Sequence, residues 1–516
     1  MLQVLWGLGG MVVVLGIAWL LSVDRRRIRW RTVALALLVQ VTFGVLVLFV
    51  PVGRRVLTAV SQAVQAVIDS SSAGIDFLFG GILPDEGTVF AFQVLPVIVF
   101  FASLTAVLYH VGALQLVTRW IGGALAKVLG TEQAESMNAA ANIFVGQTEA
   151  PLVIRPYIKD MSPSEVFAVM AGGLTTVAGS VLVGYSLLGA NLEYLIAASF
   201  MAAPAGLLMA KMLVPAGAMA HIGPHAARSE SELSVGSEPS VESELSVGSE
   251  PSVGREPSVG SEPSVGSEPS VGSELSAGSG QAAGEGSGHG DRRRGAGTRL
   301  AAAFRRGGRR GATMDARDEL LRRARAADAP ADGAEGTEED TDEPPPVNII
   351  DAASRGAADG LSLALNVGAM LLAFISLIAL ANVVLGAVGG LFGNADLTVQ
   401  EVLGYVFAPV MTAVGVPVHE AVDAGSFLGQ KVIVNEFVAF SDFAPRAEEF
   451  SAKSQAVITF ALTGFANLGS LAILLGGLGG IAPTQRGVIA TLGLRAVLAG
   501  SLGNLLSAAI AGVLIG

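Results

Sequence analysis

The chain has 516 residues, of which 51% are hydrophobic and only 15% charged, with a formal net charge of −12 and a mean hydropathy of +0.59. That balance excludes an ordinary soluble globular protein and points to a chain embedded in membrane. Cysteine is absent, which excludes a disulfide framework, a thiolate metal site and a thiol nucleophile.

Taken in chain order, apolar segments long enough to cross the roughly 30 Å hydrocarbon core are predicted near 2–22, 32–52, 88–113, 165–188, 192–214, 357–387, 455–480 and 485–515. The expectation is an all-α polytopic membrane protein of about eight spans. The first apolar stretch lacks the charged start and small-residue cleavage site of a secretory signal, so it is read as a retained helix. Three further pieces, near 55–82, 115–160 and 398–447, are partly apolar but broken by charges, Gly and Pro. They suit interfacial or re-entrant segments.

Arg25, Arg26, Arg27, Arg29 and Arg31 crowd the first short loop, which the positive-inside rule places in the cytoplasm. Both termini are then expected outside. Arg155, Lys159, Lys211 and Arg486 fall on the cytoplasmic side, Asn191 and Glu193 on the outer side, and the Arg54–Arg55 pair is outweighed.

The segment 222–346 reads as a different polymer. A unit of the type Ser-Glu-Pro-Ser-Val-Gly repeats between Ser229 and Gly278, followed by Gly-rich, basic (Arg292 to Arg325) and acidic stretches. With almost no aromatic residues it buries too little apolar surface to offset its ordering entropy, so a disordered low-complexity cytoplasmic linker is expected. Its Arg292–Arg310 cluster suits anionic lipid as an alternative to a plain linker.

Four polar strings interrupt the apolar background: Gly146 to Pro151, Gly173 to Ser180, Asn435 to Phe437, and Gly464 to Ser470. Amides, hydroxyls and carboxylates inside a greasy run are costly unless they satisfy one another or a ligand. The order also repeats. A re-entrant piece bearing Glu149 precedes a Gly/Thr/Ser-interrupted span, and a second bearing Glu436 precedes the interrupted span of Asn467 and Ser470. By the orientation above the two halves enter from opposite faces, the pattern of an inverted repeat with a midplane site. Backbone carbonyls with Asn142 and Thr176 offer neutral oxygens for a bare monovalent cation. Gln147, Thr148, Glu149, Glu436, Asn467 and Ser470 suit a neutral polyhydroxyl ligand, with Phe465 over an apolar face. Proton coupling through Glu149 or Glu436 stays open as the alternative, and Lys431 is read as a local ion pair or interfacial anchor. A channel would need pore-lining rings, and an enzyme would need a nucleophile with its base or a metal cluster; no HExxH or GxSxG is visible, so the chain is read as a transporter and not an enzyme.

The strings VGQTEAP (145–151), GGLTTVAGSV (172–181), NEFVAF (435–440) and GFANLGSLAILLGGLG (464–479) resemble those of the concentrative nucleoside transporters, and AADGLSLALNVGAMLLAF (357–374) is similar to the helix that precedes the second hairpin there. The resemblance implies sodium-coupled import of nucleosides by an elevator-like homotrimer, each protomer carrying a transport domain that moves against a trimeric scaffold, in the cytoplasmic membrane. It implies N-terminal transmembrane and interfacial scaffold segments in 1–84, a scaffold helix with the first hairpin and transport half in 85–221, and a long scaffold helix with the second hairpin and half in 347–516. Gln147, Thr148 and Glu149 would face the nucleobase, Glu436, Asn467 and Ser470 would hold the ribose, and Phe465 would pack against the nucleoside. Sodium would lie at Asn142, Val145, Thr176 and Val177, where Thr176 replaces an expected serine. No further cofactor is expected, and the partners implied are nucleoside, sodium or proton, membrane lipid and further copies of the chain, without nucleic acid.

Overall fold

The computed structural model describes residues 2–84, 89–219 and 346–515, and every regular element among them is helical. They belong to one compact unit. The expected linker, 222–346, lies outside the described residues apart from Pro346.

The chain begins with α1 (Leu2–Leu20), an arginine-rich turn capped by Asp24, and α2 (Trp30–Gly44) with one π-helical turn, Val45–Phe49. Pro51, pre-set for a first helical turn, starts α3 (Pro51–Ser70), which buries Leu57 and Ile68 and exposes Val52, Val56 and Val60. With α4 (Ser72–Phe79) it forms the partly apolar piece expected near 55–82, with one face buried and the other exposed.

α5 (Leu95–His110) pairs lengthwise with α12 (Ile349–Gly390), a helix of 42 residues. Gly356 and Gly360 make this possible. A Cβ at Gly356 would stand 2.8 Å from Ala102 O, and one at Gly360 2.8 Å from Val99 Cα. That is the small-xxx-small device by which membrane helices bring their backbones together, reinforced by the Ser103 hydroxyl donating to Ala353 O at 2.8 Å. The outer face of α12 is apolar and uncovered: in its most apolar stretch only 6% of residues are buried, against 94% in Pro163–Leu187 and 89% in Leu192–Leu213.

The buried centre is therefore α9 (Pro163–Thr175), α10 (Gly179–Leu187), α11 (Leu192–Leu213), α16 (Ala452–Leu462) and α18 (Arg486–Ile515). α1 and α2 pack on α18 and α11, not on the α5–α12 pair. α6 (Ala113–Leu129) leads to the first hairpin, built from α7 (Gln133–Ala141), a short 3-10 turn and α8 (Arg155–Ile158). α13 (Val399–Ala413) leads to the second, built from α14 (Ala421–Ile433) and α15 (Glu436–Phe443).

Six helical stretches among the described residues are long and apolar enough to cross a bilayer, against about eight expected. The apolar run near 2–22 forms α1, of 19 residues. The run near 455–480 is split into α16 and α17 (Leu468–Ile481). The split is built in: a Cβ at Gly464 (φ +156°) would collide with Asn504 Oδ1 and stand 2.7 Å from Thr175 O, so the helix opens at a residue without a side chain. Asn467, extended at φ −143° and ψ 171°, then caps the next helix through Ser470 N at 2.7 Å.

Candidate functional site

The first hairpin is nucleated at its base by a capping box, in which the Glu132 and Glu135 side chains close on each other's backbone N–H. Glu135 is also paired with Lys211 of α11 at 2.6 Å, both buried. Sequence reading missed this pair, because no periodicity links positions so distant. The other base of the hairpin is held by Gln485, whose Nε2 donates to Ile158 O at 3.1 Å and Met161 O at 2.9 Å.

At the tip, α7 ends on Asn142 and the chain turns through Val145, Gly146, Gln147, Thr148 and Glu149. Gly146 N donates to Glu149 Oε2 at 3.3 Å, and the Glu149 side chain is otherwise exposed. Gln147 is 5% exposed and donates from Nε2 to Ser470 O at 3.3 Å, while its Oε1 has no partner. Thr148 packs against α17, since a Cβ at Gly477 would stand 2.7 Å from Thr148 Cγ2. The Asn142 carboxamide donates to Asn138 O at 3.0 Å, and its Oδ1 is buried without a partner.

The second hairpin turns at Val434. Asn435 then caps α15 through Val438 N at 2.8 Å, which sets Glu436 at a first helical position. Glu436 is buried, and both its oxygens accept: Oε1 from Tyr185 Oη at 2.9 Å and Oε2 from Asn467 Nδ2 at 2.8 Å. Asn467 passes the chain on to Ser470 N at 2.7 Å, and Ser470 O receives Gln147. One connected network thus runs Tyr185, Glu436, Asn467, Ser470, Gln147, and joins both hairpins to α10 and α17.

The two interrupted spans also meet. Phe465 N donates to Thr176 O at 3.1 Å, and Gly179 N donates to Phe144 O at 3.1 Å. Thr176, at 1% exposure, turns its hydroxyl back to Gly172 O at 3.0 Å, and Val177 is equally buried. Asn142, Val145, Thr176 and Val177 are thus all buried at the first tip and the break after α9, while Phe465 is half-buried at the break before α17.

Two functional candidates escaped the sequence. Tyr185 looks like core in an apolar helix and is in fact the second partner of Glu436, stacked on Phe440 at 4.3 Å between ring centroids. Lys431 was expected to make a local ion pair or anchor at an interface. It is fully buried instead, and donates to Ala461 O at 2.7 Å and Asn504 Oδ1 at 2.9 Å. The reason is the neighbouring helix end, whose unpaired carbonyls take the ammonium.

Comparison with known proteins meets this geometry. Residues 9–82 match the family described as Na+ dependent nucleoside transporter N-terminus, 91–191 the gate family described as nucleoside recognition, and 322–512 the Na+ dependent nucleoside transporter C-terminus. The chain is 43% identical to the uncharacterized transporter YutK of Bacillus subtilis, covering 100% of both chains. It is 37% identical to the nucleoside permease NupC of Helicobacter pylori, covering 99% of this chain and 98% of that one. Among solved structures, CNTnw in an inward-facing substrate-bound state is 43% identical and superposes with a TM-score of 0.73 over 100% of this chain and 98% of the other. A polytopic helical membrane protein whose hairpins and interrupted helices close on one polar network, this chain belongs to the Na+ dependent nucleoside transporter family.

Proposed function

We propose that the chain imports nucleosides across the cytoplasmic membrane by symport with sodium, through elevator-like alternating access. The observation that carries the reading is the network from Tyr185 to Gln147, which gathers a carboxylate and four amide- or hydroxyl-bearing residues in an apolar interior. Such a cluster is costly unless a polar ligand completes it, and Gln147 Oε1 stands buried with no donor. Gln147, Thr148 and Glu149 face the nucleobase in this reading, and Glu436, Asn467 and Ser470 bind the ribose hydroxyls. Phe465 covers an apolar face of the nucleoside.

The cation lies between Asn142, Val145, Thr176 and Val177. The support is Asn142 Oδ1, a buried carbonyl oxygen without a partner, in a shell with no carboxylate, which suits a monovalent ion. Proton coupling is the second reading, favoured by the carboxyl groups of Glu436 within the network and Glu149 at the first hairpin tip. The hairpins and interrupted helices form the two halves of an inverted repeat and move with the buried centre against α5 and α12. The uncovered apolar face of α12 supports its role as the scaffold of a homotrimer, with eight crossings and both termini outside.

Labelled uridine and adenosine uptake into proteoliposomes, under separately imposed sodium and proton gradients, tests the reading. Uptake driven by inward sodium at constant pH is the expected result. Uptake driven by a proton gradient alone selects the second reading, and uptake driven by neither overturns symport.

A further inference from the structure

Along α7 and its cap, Glu135, Asn138 and Asn142 are spaced three and four residues apart, which puts them on one face of the helix. All three are buried, at 1%, 0% and 1% exposure. A polar stripe in an apolar interior is costly unless each group is met. The two carboxamides spend their donors on backbone oxygens: Asn138 Nδ2 donates to Val169 O at 3.4 Å and Asn142 Nδ2 to Asn138 O at 3.0 Å. Those acceptors fix which way each amide points, and both Oδ1 atoms stand buried with no donor among the described residues. The amides converge on Gly172 of α9, where an added Cβ would stand 3.6 Å from each Nδ2.

At its other end the stripe meets a cavity of about 200 Å³, lined by Glu135 together with Thr131, Glu132, Glu165, Lys211 and Arg29, the last at the start of α2. Helix direction sets the electrostatics between the two ends. α7 and α9 both run from the cavity towards Asn142 and Thr176, so their negative dipole ends face the proposed cation site and their positive ends face the cavity. A cation leaving along the stripe therefore moves uphill unless negative charge meets it. Glu135 and Glu165, in the first turns of the two helices, supply that charge. Lys211, 2.6 Å from Glu135, shares the carboxylate, which keeps it from holding a passing ion as an unshared counter-charge would.

We propose that this stripe is the way out for the monovalent cation: from Asn142 it passes to Asn138 Oδ1, a transient second position, then to Glu135 and into the cavity. The inference rests on the cation site and the orientation proposed above, which put the cavity on the cytoplasmic side. No residue of the nucleoside network lies on this route, so cation and nucleoside leave by separate paths. Asn138 serves the release of the ion and not its equilibrium binding.

The experiment compares two modes of uridine movement in proteoliposomes. Net uptake driven by inward sodium requires the ion to leave on the inner side, whereas exchange of internal for external uridine at equal, high sodium lets it stay bound. Asn138→Leu removes the oxygen at similar volume. Gly172→Ala adds a methyl group between the amides at ordinary contact distance, and keeps the test open should the first variant not fold. In Asn138→Leu net uptake is expected to fall about tenfold or more, the size of one lost contact to a charged group. Exchange, and the sodium concentration that half-saturates uridine binding to purified protein, stay close to wild type; Gly172→Ala shows the same split. Net uptake and exchange that fall together would give the stripe a structural part alone and overturn the route, as would net uptake unchanged in both variants. A raised sodium requirement for uridine binding in Asn138→Leu would put Asn138 in the binding site itself, and also overturns the inference. Wild-type net uptake that needs no sodium gradient would remove the cation site on which the route rests.

Discussion

At the scale of single residues, Glu436 is the point through which α10, the second hairpin and α17 act together, because both its oxygens accept from different elements. Glu436→Gln replaces one acceptor by a donor opposite Asn467 Nδ2, while the Tyr185 hydroxyl is free to rotate. Losing a hydrogen bond to a charged group costs about 1.5–3 kcal/mol, so the variant is expected to raise the Km for uridine about tenfold to a hundredfold. It should also lose much of the discrimination against 2′,3′-dideoxyuridine; normal discrimination in the variant would place the ribose elsewhere. Tyr185→Phe removes the other donor to the same carboxylate and is expected to cost about 1.5–3 kcal/mol, with a Km for uridine raised about tenfold to a hundredfold.

At the scale of elements, the breaks in the helices are specified by close packing as much as by composition. Gly464 lies against Asn504 and Thr175 O, which leaves no room for a methyl group. Gly464→Ala is expected to destabilise the protein by about 1–3 kcal/mol from backbone strain alone, read as a lower melting temperature of the detergent-solubilised protein, and to impair uptake because Phe465 N would lose its bond to Thr176 O. The α5–α12 pair depends on a different kind of glycine. Gly356→Leu forces two backbones apart and is expected to cost about 1–3 kcal/mol of packing, while nucleoside binding to the solubilised protein stays close to the wild type, since neither helix supplies a network residue. Lost nucleoside binding would show that this pair shapes the site directly.

At the scale of the whole molecule, cation and nucleoside are expected to bind as one thermodynamic unit. The first hairpin tip holds both Asn142 and Gln147, so ordering it for one ligand prepares it for the other, and the two affinities must change each other by the same factor. Replacing sodium by choline at constant pH should therefore weaken uridine binding to purified protein; equal affinity in both salts would remove the coupling. Every residue of the network described here lies outside the repeat-bearing stretch 229–343, and replacing that stretch with a short linker is expected to preserve uptake. Loss of transport on that deletion would show that it has a partner or a structural part.

Much of the fold and of the network was legible because membrane chemistry leaves few choices. An apolar run must be helical in lipid, and a carboxylate or amide within one needs a partner, which singled out Gln147, Glu436, Asn467 and Ser470 before any geometry was known. The sequence by itself therefore determined the helical membrane class, the two hairpins and the polar residues that had to be reconciled inside. What only tertiary structure decided is who reconciles them. Tyr185 and Asn504 reach their partners across 251 and 329 positions of chain, and the buried place of Lys431 depends on the exposed carbonyls of a helix end 30 residues away. Those encounters follow from where helices end and how closely their backbones approach, and neither is written in the periodicity of any one segment.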